Sequence, residues 1–197
     1  MEFGQVVRRR RMVRSYRPDP VDPDALGRIL DAARRGPSAG FSQGQYLVVV
    51  TDAGTRRRIA ELCGERSYVE RGLSPWLSRA PVHLVPCVRP ADYHERYAEA
   101  DKVGSGKPAA WRVPYWWVDG GASLMLVLLA AVDEGLAAGF LDVRDADGLR
   151  ALLGIPGDVL PVGLVTIGHP APDSTSRSPR PGRRPSDEVI RRERWTP

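Results

Sequence analysis

The sequence predicts one domain in which helices cover both faces of a central sheet. Three observations carry that expectation. Tyr46-Leu47-Val48-Val49-Val50 is apolar on both faces and rich in β-branched residues, which suits a strand covered from both sides. Helix-like and strand-like stretches alternate along the chain. Gly120 to Glu134 is apolar nearly all round, the pattern of a helix buried on every side.

Composition sets the outer limits. The 197 residues suffice for one well-buried core with an arm or tail, and an apolar fraction of 42% excludes wholesale disorder. The formal charge of +5 is concentrated at the two ends of the chain, which fits a small anion as well as it fits nucleic acid. No nucleic-acid motif accompanies it, so no nucleic-acid partner is expected. Cys63 and Cys87 sit in apolar contexts without metal-ligand spacing, as buried reduced thiols do, and no metal is expected. The charged N-terminus lacks the apolar core of a signal peptide. The longest apolar run, Ala122 to Val132, is well short of the ~20 residues that cross a bilayer. A cytoplasmic protein with no membrane partner is the expectation.

The chain begins with five arginines in seven positions, Arg8, Arg9, Arg10, Arg11 and Arg14. Arg10 and Arg14 share a face in a helix or a strand alike, because both periods bring i and i+4 together. Guanidinium forks match phosphate oxygens, but a solvated basic patch or a nucleic-acid contact is the better reading of the run when it is read alone. Asp22-Pro23-Asp24 then starts a helix with an Asp cap, Pro in the first turn and a second acid at the positive end of the dipole. Leu26, Ile29, Leu30 and Ala33 give it one buried face, and Gly36-Pro37 ends it. Pro37 to Gly44 is a loop of small and polar residues. The Tyr46–Val50 strand follows, and Asp52 to Gly64 reads as a second helix.

Val82 to Val88 is a second strand, and Pro86, which has no N–H, places it at an edge or a bulge. Tyr93 to Ala100 reads as a polar helix, and residues 101–114 as an irregular excursion. Trp111, Tyr115, Trp116 and Trp117 either pack on the core or form a lid over a planar ligand. The helix over Gly120 to Glu134 implies that part of its cover comes from a second subunit, hence a homodimer. Gly135 to Val143 turns into a third strand, Asp145 to Leu153 is a short helix, and Pro161 to Ile167 is a fourth strand. Beyond His169 the composition shifts to Pro, Ser and Arg, which separates a domain over residues 1–169 from an arm over residues 170–197.

No nucleophile–base pair is legible. His83, His94 and His169 are isolated, and neither a dinucleotide fingerprint nor a Walker-type loop is present. Any enzymatic chemistry then falls to a cofactor. Arg10-Arg11-Met12-Val13-Arg14-Ser15-Tyr16, Pro20-Val21, a helix, and Pro37-Ser38-Ala39-Gly40-Phe41-Ser42-Gln43 before a Val-rich strand resemble the nitroreductase superfamily of FMN-dependent enzymes. The resemblance runs on through Asp119, Gly135-Leu136, Gly139-Phe140, Leu153-Gly154-Ile155-Pro156, Pro161-Val162-Gly163-Leu164 and Gly168. It ends at Arg183-Arg184-Pro185 and Trp195.

That resemblance implies an α+β fold, with a mixed central sheet flanked by helices and an intertwined homodimer holding two FMN sites. It implies that Arg10 and Arg14 hold the FMN phosphate, with Arg11 adjacent and Met12 between them. Arg183, with Arg184 as its neighbour, completes the phosphate site. It places Pro37, Ser38, Ala39 and Gly40 along the flavin, in part from the partner subunit, and Gln43 near its pyrimidine and ribityl portion. It sets the backbone of Phe140, Leu141 and Asp142 by the isoalloxazine. No catalytic acid or base is named. The implied activity passes hydride from NAD(P)H through flavin to a small aromatic acceptor such as a nitroaromatic or quinone. Use of F420, or a non-enzymatic flavin-sequestering role, are the alternatives. Met12 stands where many members have a phosphate-bonding Ser, and Phe41 where many have an Asn. The Gly-Phe-Ser-Gln loop resembles the 5,6-dimethylbenzimidazole synthase branch. That branch has an Asp at the position of Met12, and a thioether moves no proton, so its activity is not expected here.

Overall fold

The computed structural model describes residues 1–103, 112–172 and 182–195. Its centre is a sheet of β1 (Gln45–Val50), β2 (Val82–Val88), β3 (Ala137–Leu141), β4 (Leu160–Pro161) and β5 (Leu164–Gly168). The strand order is β1-β2-β5-β3, with β4 also on β2. The strands pair antiparallel. A parallel element enters where Met12 bridges to Ala138 of β3, on the side away from β5. Around the sheet lie α1 (Phe3–Arg9), α2 (Pro23–Arg34), α3 (Ala53–Leu62), α4 (Glu65–Glu70), α5 (Trp76–Arg79) and α6 (Pro90–Tyr97). They are followed by α7 (Ala100–Val103), α8 (Tyr115–Asp133), α9 (Ala146–Leu153) and α10 (Ser186–Val189). The expected α+β architecture is present.

Two-faced burial explains the layers. Along β2, Val82 and Leu84 face a core shared with Ile29 and Ala33 of α2 and Val127, Leu128 and Ala131 of α8. Val85 and Cys87 face the opposite core, with Ile59 of α3, Trp76 and Leu77 of α5 and Leu149 of α9. Each such aliphatic side chain contributes about 1.5–3 kcal/mol when it leaves water. The helices start where short acids cap them: Asp22 accepts from the Ala25 amide at 3.1 Å, Asp52 from Thr55 at 2.7 Å and Asp145 from Gly148 at 2.8 Å.

Three expectations need correction. First, β2 is not an edge strand, because β1 flanks it on one side and β4 and β5 on the other. Pro86 falls at the gap between the β5 pairing (Val82–Leu84) and the β4 pairing (Cys87–Val88), where its carbonyl accepts the Val162 amide at 2.8 Å. The same gap splits the stretch over residues 161–167 into β4 and β5. Second, the aromatic residues Tyr115, Trp116 and Trp117 form the first turn of α8 rather than a loop before it. Third, β1 is not covered from both sides, because Tyr46 and Val49 at the sheet's edge strand stay exposed. As expected, α8 is covered only in part by its own chain: Trp117, Val118 and Met125 stay exposed on an outer stripe. With 19 residues, α8 is long and apolar enough by length and composition to cross a membrane, which the shorter run Ala122–Val132 concealed. Its inner side packs on α2, β2 and β3 in the manner of a core helix.

Both cysteines are buried, and burial pushes the Cys63 thiol up to about 12 and the Cys87 thiol up to about 11. His83 is fully buried on β2. Its Nε2–H donates to the Leu77 carbonyl at 2.8 Å, and its Nδ1 has no hydrogen-bond partner among the described residues. Burial lowers its pKa from 6.5 to about 4, so the fold favours the neutral ring. Above pH 6.5 the ring is neutral in both states and adds no pH dependence. As pH falls from 6.5 to 4 the unfolded chain binds the extra proton, and stability drops by about 3 kcal/mol in all. Urea midpoints at pH 7 and pH 4.5 should show this decline in the wild type and a flatter profile in His83→Leu.

Candidate functional site

The arginine run spans a change of backbone. Helix α1 ends at Arg9, and from Arg10 (φ −59°, ψ 119°) the chain is extended. It runs beside β3: Met12 bridges to Ala138, and the Val13 amide donates to the Ala138 carbonyl at 3.1 Å. Farther on, Arg17 and Ala171 donate their amides to His169 (3.0 Å) and Ser15 (3.1 Å). An extended strip sends alternate side chains to opposite sides. Val13 is buried and Arg11 lines, with Arg9, Val132 and Pro170, a cavity of about 200 Å³. Met12 and Arg14 are exposed and Arg10 is half-buried, on the other side. Among the described residues no carboxylate lies within ion-pair distance of Arg10 or Arg11, so these guanidiniums keep their charge for something else.

A buried latch holds the strip. The Tyr16 hydroxyl donates to the Val13 carbonyl at 3.0 Å and meets Thr166 Oγ1, on β5, at 2.9 Å. Gly139 is required beneath it, because a Cβ there would come within 2.5 Å of the Val13 carbonyl oxygen. The far end of β3 carries Phe140 and Leu141, both half-buried, and leads to exposed Asp142. The strip and Phe140–Asp142 therefore belong to one edge of the sheet.

The loop after α2 lies at the other edge. Ser38 accepts the Phe41 amide with its carbonyl (2.9 Å) and the Gln43 amide with its hydroxyl (3.1 Å). Ala39 donates to the buried carboxylate of Asp119 on α8 at 2.8 Å, and Arg96 Nε on α6 donates to the Gly40 carbonyl at 2.9 Å. Gln45 Nε2 donates to Pro37 at 2.9 Å. Three residues here have left-handed backbone: Gly40 (φ 63°), Phe41 (φ 60°) and Gln43 (φ 53°). Glycine adopts that region freely, whereas Phe and Gln each pay about 1–3 kcal/mol. The Tyr97 ring closes on Gly40, where a Cβ would lie 2.6 Å from the ring edge. Phe41 ends up 73% exposed.

Within one chain these parts do not converge. The strip lies beyond β3 and the loop leads into β1, so four strand spacings, ~19 Å, separate the two edges. Arg183 and Arg184 are exposed, and Arg184 pairs with Glu188 at 3.0 Å. Among the described residues, no hydrogen bond or ion pair joins either to residues 8–14. The aromatic group divides: Trp116 packs edge-on against buried Tyr93 (centroids 6.0 Å) and tilts on His94 (5.6 Å), while Tyr115 and Trp117 are exposed. Trp111 lies outside the described residues. Among the described residues no group of His, Cys, Asp and Glu is placed to hold a metal ion.

Sequence reasoning missed the supports of both edges. Tyr16 and Thr166 lie 150 residues apart, and no local pattern links them. Asp119 had a signal, as a lone acid near the start of an apolar helix, and it is 5% exposed. The Tyr93 phenol, pushed up by burial and then by Asp119, is the second group against that carboxylate.

A model of the nitroreductase family matches residues 7–169. An NADH dehydrogenase of Thermus thermophilus is 32% identical over 173 residues, covering 83% of this chain and 84% of that protein. An FMN reductase [NAD(P)H] of Bacillus subtilis is 30% identical over 178 residues, covering 86% of this chain and 66% of its own length. A 5,6-dimethylbenzimidazole synthase of Rhodospirillum rubrum is 28% identical over 196 residues, covering 87% and 88%. Among solved structures, the hypothetical oxidoreductase YcnD of Bacillus subtilis superposes with a TM-score of 0.76 at 26% identity, covering all of this chain and 76% of that one.

The latch at Tyr16 is testable without any ligand. Tyr16→Phe leaves the Val13 carbonyl and Thr166 hydroxyl without their shared partner, and should cost about 1–3 kcal/mol in urea unfolding. Faster hydrogen exchange at the Val13 amide should accompany it.

Proposed function

Since the chain belongs to the nitroreductase family, we propose that it is an FMN-dependent oxidoreductase, passing hydride equivalents from NAD(P)H to a nitroaromatic, quinone or related acceptor. The observation that carries this reading is the strip: Arg10 and Arg14 on its outer side, latched to the same sheet edge that continues into Phe140–Asp142. When bound, FMN supplies the two-electron carrier between donor and acceptor, which accounts for a site without a nucleophile–base pair. The donor set suits it. Arg10 and Arg14 hold the phosphate by charge-assisted hydrogen bonds, and Met12 between them offers an apolar contact and no donor. Arg183 and Arg184 complete that site once the arm reaches it. Backbone groups of Phe140, Leu141 and Asp142 border the ring system.

The loop of Pro37, Ser38, Ala39, Gly40 and Gln43 borders the flavin from a second copy of the chain. The ~19 Å between the edges supports that arrangement, because one chain offers the two halves apart. The exposed stripe of Trp117, Val118 and Met125, with Phe3 and Val7 of α1, suits burial in the same homodimer. Relatedness to a 5,6-dimethylbenzimidazole synthase does not carry that activity over, since Met12 has no proton to give or take.

Protein purified without heating should be yellow, take up FMN, and lose that colour anaerobically on titration with NADH or NADPH. Arg10→Ala and Arg14→Ala should each weaken FMN retention about 10-fold or more, the loss of one charge-assisted contact. Arg8→Ala, on exposed α1, should change it by less than about 2-fold. Colourless protein that takes up no FMN would refute the reading, and equal losses from all three substitutions would return the run to a solvated patch.

A further inference from the structure

We propose that Asp119 is a positioning residue of the flavin site: its buried carboxylate, through the Ala39 amide, holds the loop over residues 38–43 in the left-handed conformation that turns Phe41 outward. This rests on the FMN reading above.

The carboxylate is an unusual choice for its surroundings. It stands in an otherwise apolar helix, at 5% exposure, and among the described residues no cation lies within ion-pair distance of it. A carboxylate taken from water without a countercharge is unfavourable, and an apolar residue would pack there without that cost. What Asp119 gains in exchange is the Ala39 N–H at 2.8 Å. That bond grips the loop where strain begins. Immediately after it come Gly40, Phe41 and Gln43, all at positive φ.

That backbone would relax unless both flanks were fixed. Asp119 fixes the Ala39 side. Arg96 takes the Gly40 carbonyl from α6, and the Arg96 guanidinium is itself held by both carboxylate oxygens of Asp101 at 2.7 Å. Tyr93 closes the base of the loop: a Cβ at Gly44 would lie 2.6 Å from its ring. The result is a large apolar side chain kept mostly in water, at 73% exposure. A fold that maintains strained backbone and an exposed ring together is prepared for a contact made elsewhere, here the flavin or the acceptor above it. Asp119 touches neither. It acts through Ala39 and the loop.

The test compares Asp119→Ala, which removes the acceptor of the Ala39 amide, with Asp119→Asn, which keeps one. Arg96→Met frees the Gly40 carbonyl from a half-buried position and serves if Asp119→Ala does not fold. FMN dissociation constants from flavin fluorescence, visible flavin spectra and thermal midpoints are measured for each. Asp119→Ala should bind FMN about 10-fold more weakly or worse and shift the bound spectrum towards that of free FMN. Asp119→Asn should stay within about 3-fold of wild type, and Arg96→Met should fall between them. Phe41→Ala should weaken FMN or acceptor binding in the wild type, and add little once Asp119 is Ala. If Asp119→Ala and Arg96→Met lower thermal stability but leave FMN affinity and spectrum within 2-fold of wild type, Asp119 is a stability anchor and the proposal fails alone. If Asp119→Ala does not fold, an Arg96→Met protein with wild-type affinity and spectrum overturns it. Wild-type protein that binds no FMN overturns this proposal together with the reading beneath it.

Discussion

Every residue of β2 and β5 is buried, and the remainder of the architecture answers to that constraint. Strands with no face towards water need cover on both sides, so α2 and α8 occupy one face while α3, α5 and α9 occupy the other. Once both faces are filled, the edges are where the sheet can still meet another backbone. The edge beyond β3 takes the strip around Met12, and the edge at β1 is entered through the loop over residues 37–44. Polar groups inside the sheet must then be met individually. Thr166 finds Tyr16, and His83 finds Leu77 with one nitrogen only.

The proposed site inherits this geometry. The residues proposed to hold the phosphate belong to the β3 edge with Phe140–Asp142, and the loop proposed to border the flavin belongs to the β1 edge, so on that proposal one ligand meets both only where two chains meet. The apolar outer stripe of α8 has the same logic: a helix drawn from a sequence with hardly any polar face is half-covered by its own chain. On the proposed function, cofactor, dimer and bare stripe are one requirement seen from three places.

Much of this was legible because its causes are local. Helix α2 announces itself by the Asp22 cap, Pro23, a 3.6-residue apolar period and Gly36, all within 15 residues of one another. The β1 strand was legible from its β-branched apolar run, but its cover was not: as an edge strand it leaves Tyr46 and Val49 exposed. Pro86 was misread for the same reason that made it informative. A missing N–H does exclude a ladder bond, but a central strand tolerates it where its neighbour changes from β5 to β4. That change depends on Gly163, whose Cβ would lie 2.6 Å from the Phe140 ring, and nothing near Gly163 in the chain reports where that ring will be. The latch at Tyr16 was invisible on the same principle. The loop residues could be assigned to the flavin by resemblance, yet their strain could not, since positive φ at Phe41 and Gln43 is imposed by Asp119 and Arg96 from other elements.

The arginine run is where local and distant causes meet. Its spacing leaves helix and strand equally open, because Arg10 and Arg14 share a face in either. The decision comes from β3, whose edge draws Met12 and Val13 into extended pairing and so ends α1 at Arg9. From that point alternation sorts the charges. Arg11 turns with Val13 towards the cavity it shares with Arg9, and Arg10 and Arg14 turn outward with Met12. A hydroxyl at position 12 would share the load in holding a phosphate on that outer side. A thioether does not, so within the strip the proposed grip falls to two guanidiniums whose spacing is set by the strand repeat, roughly 13–14 Å from Arg10 to Arg14 along the backbone. Long, flexible side chains must converge across that span onto one anion. The rigidity they lack has to come from the strip itself, which is why a hydroxyl buried at Tyr16, out of reach of any ligand, belongs to the same functional unit.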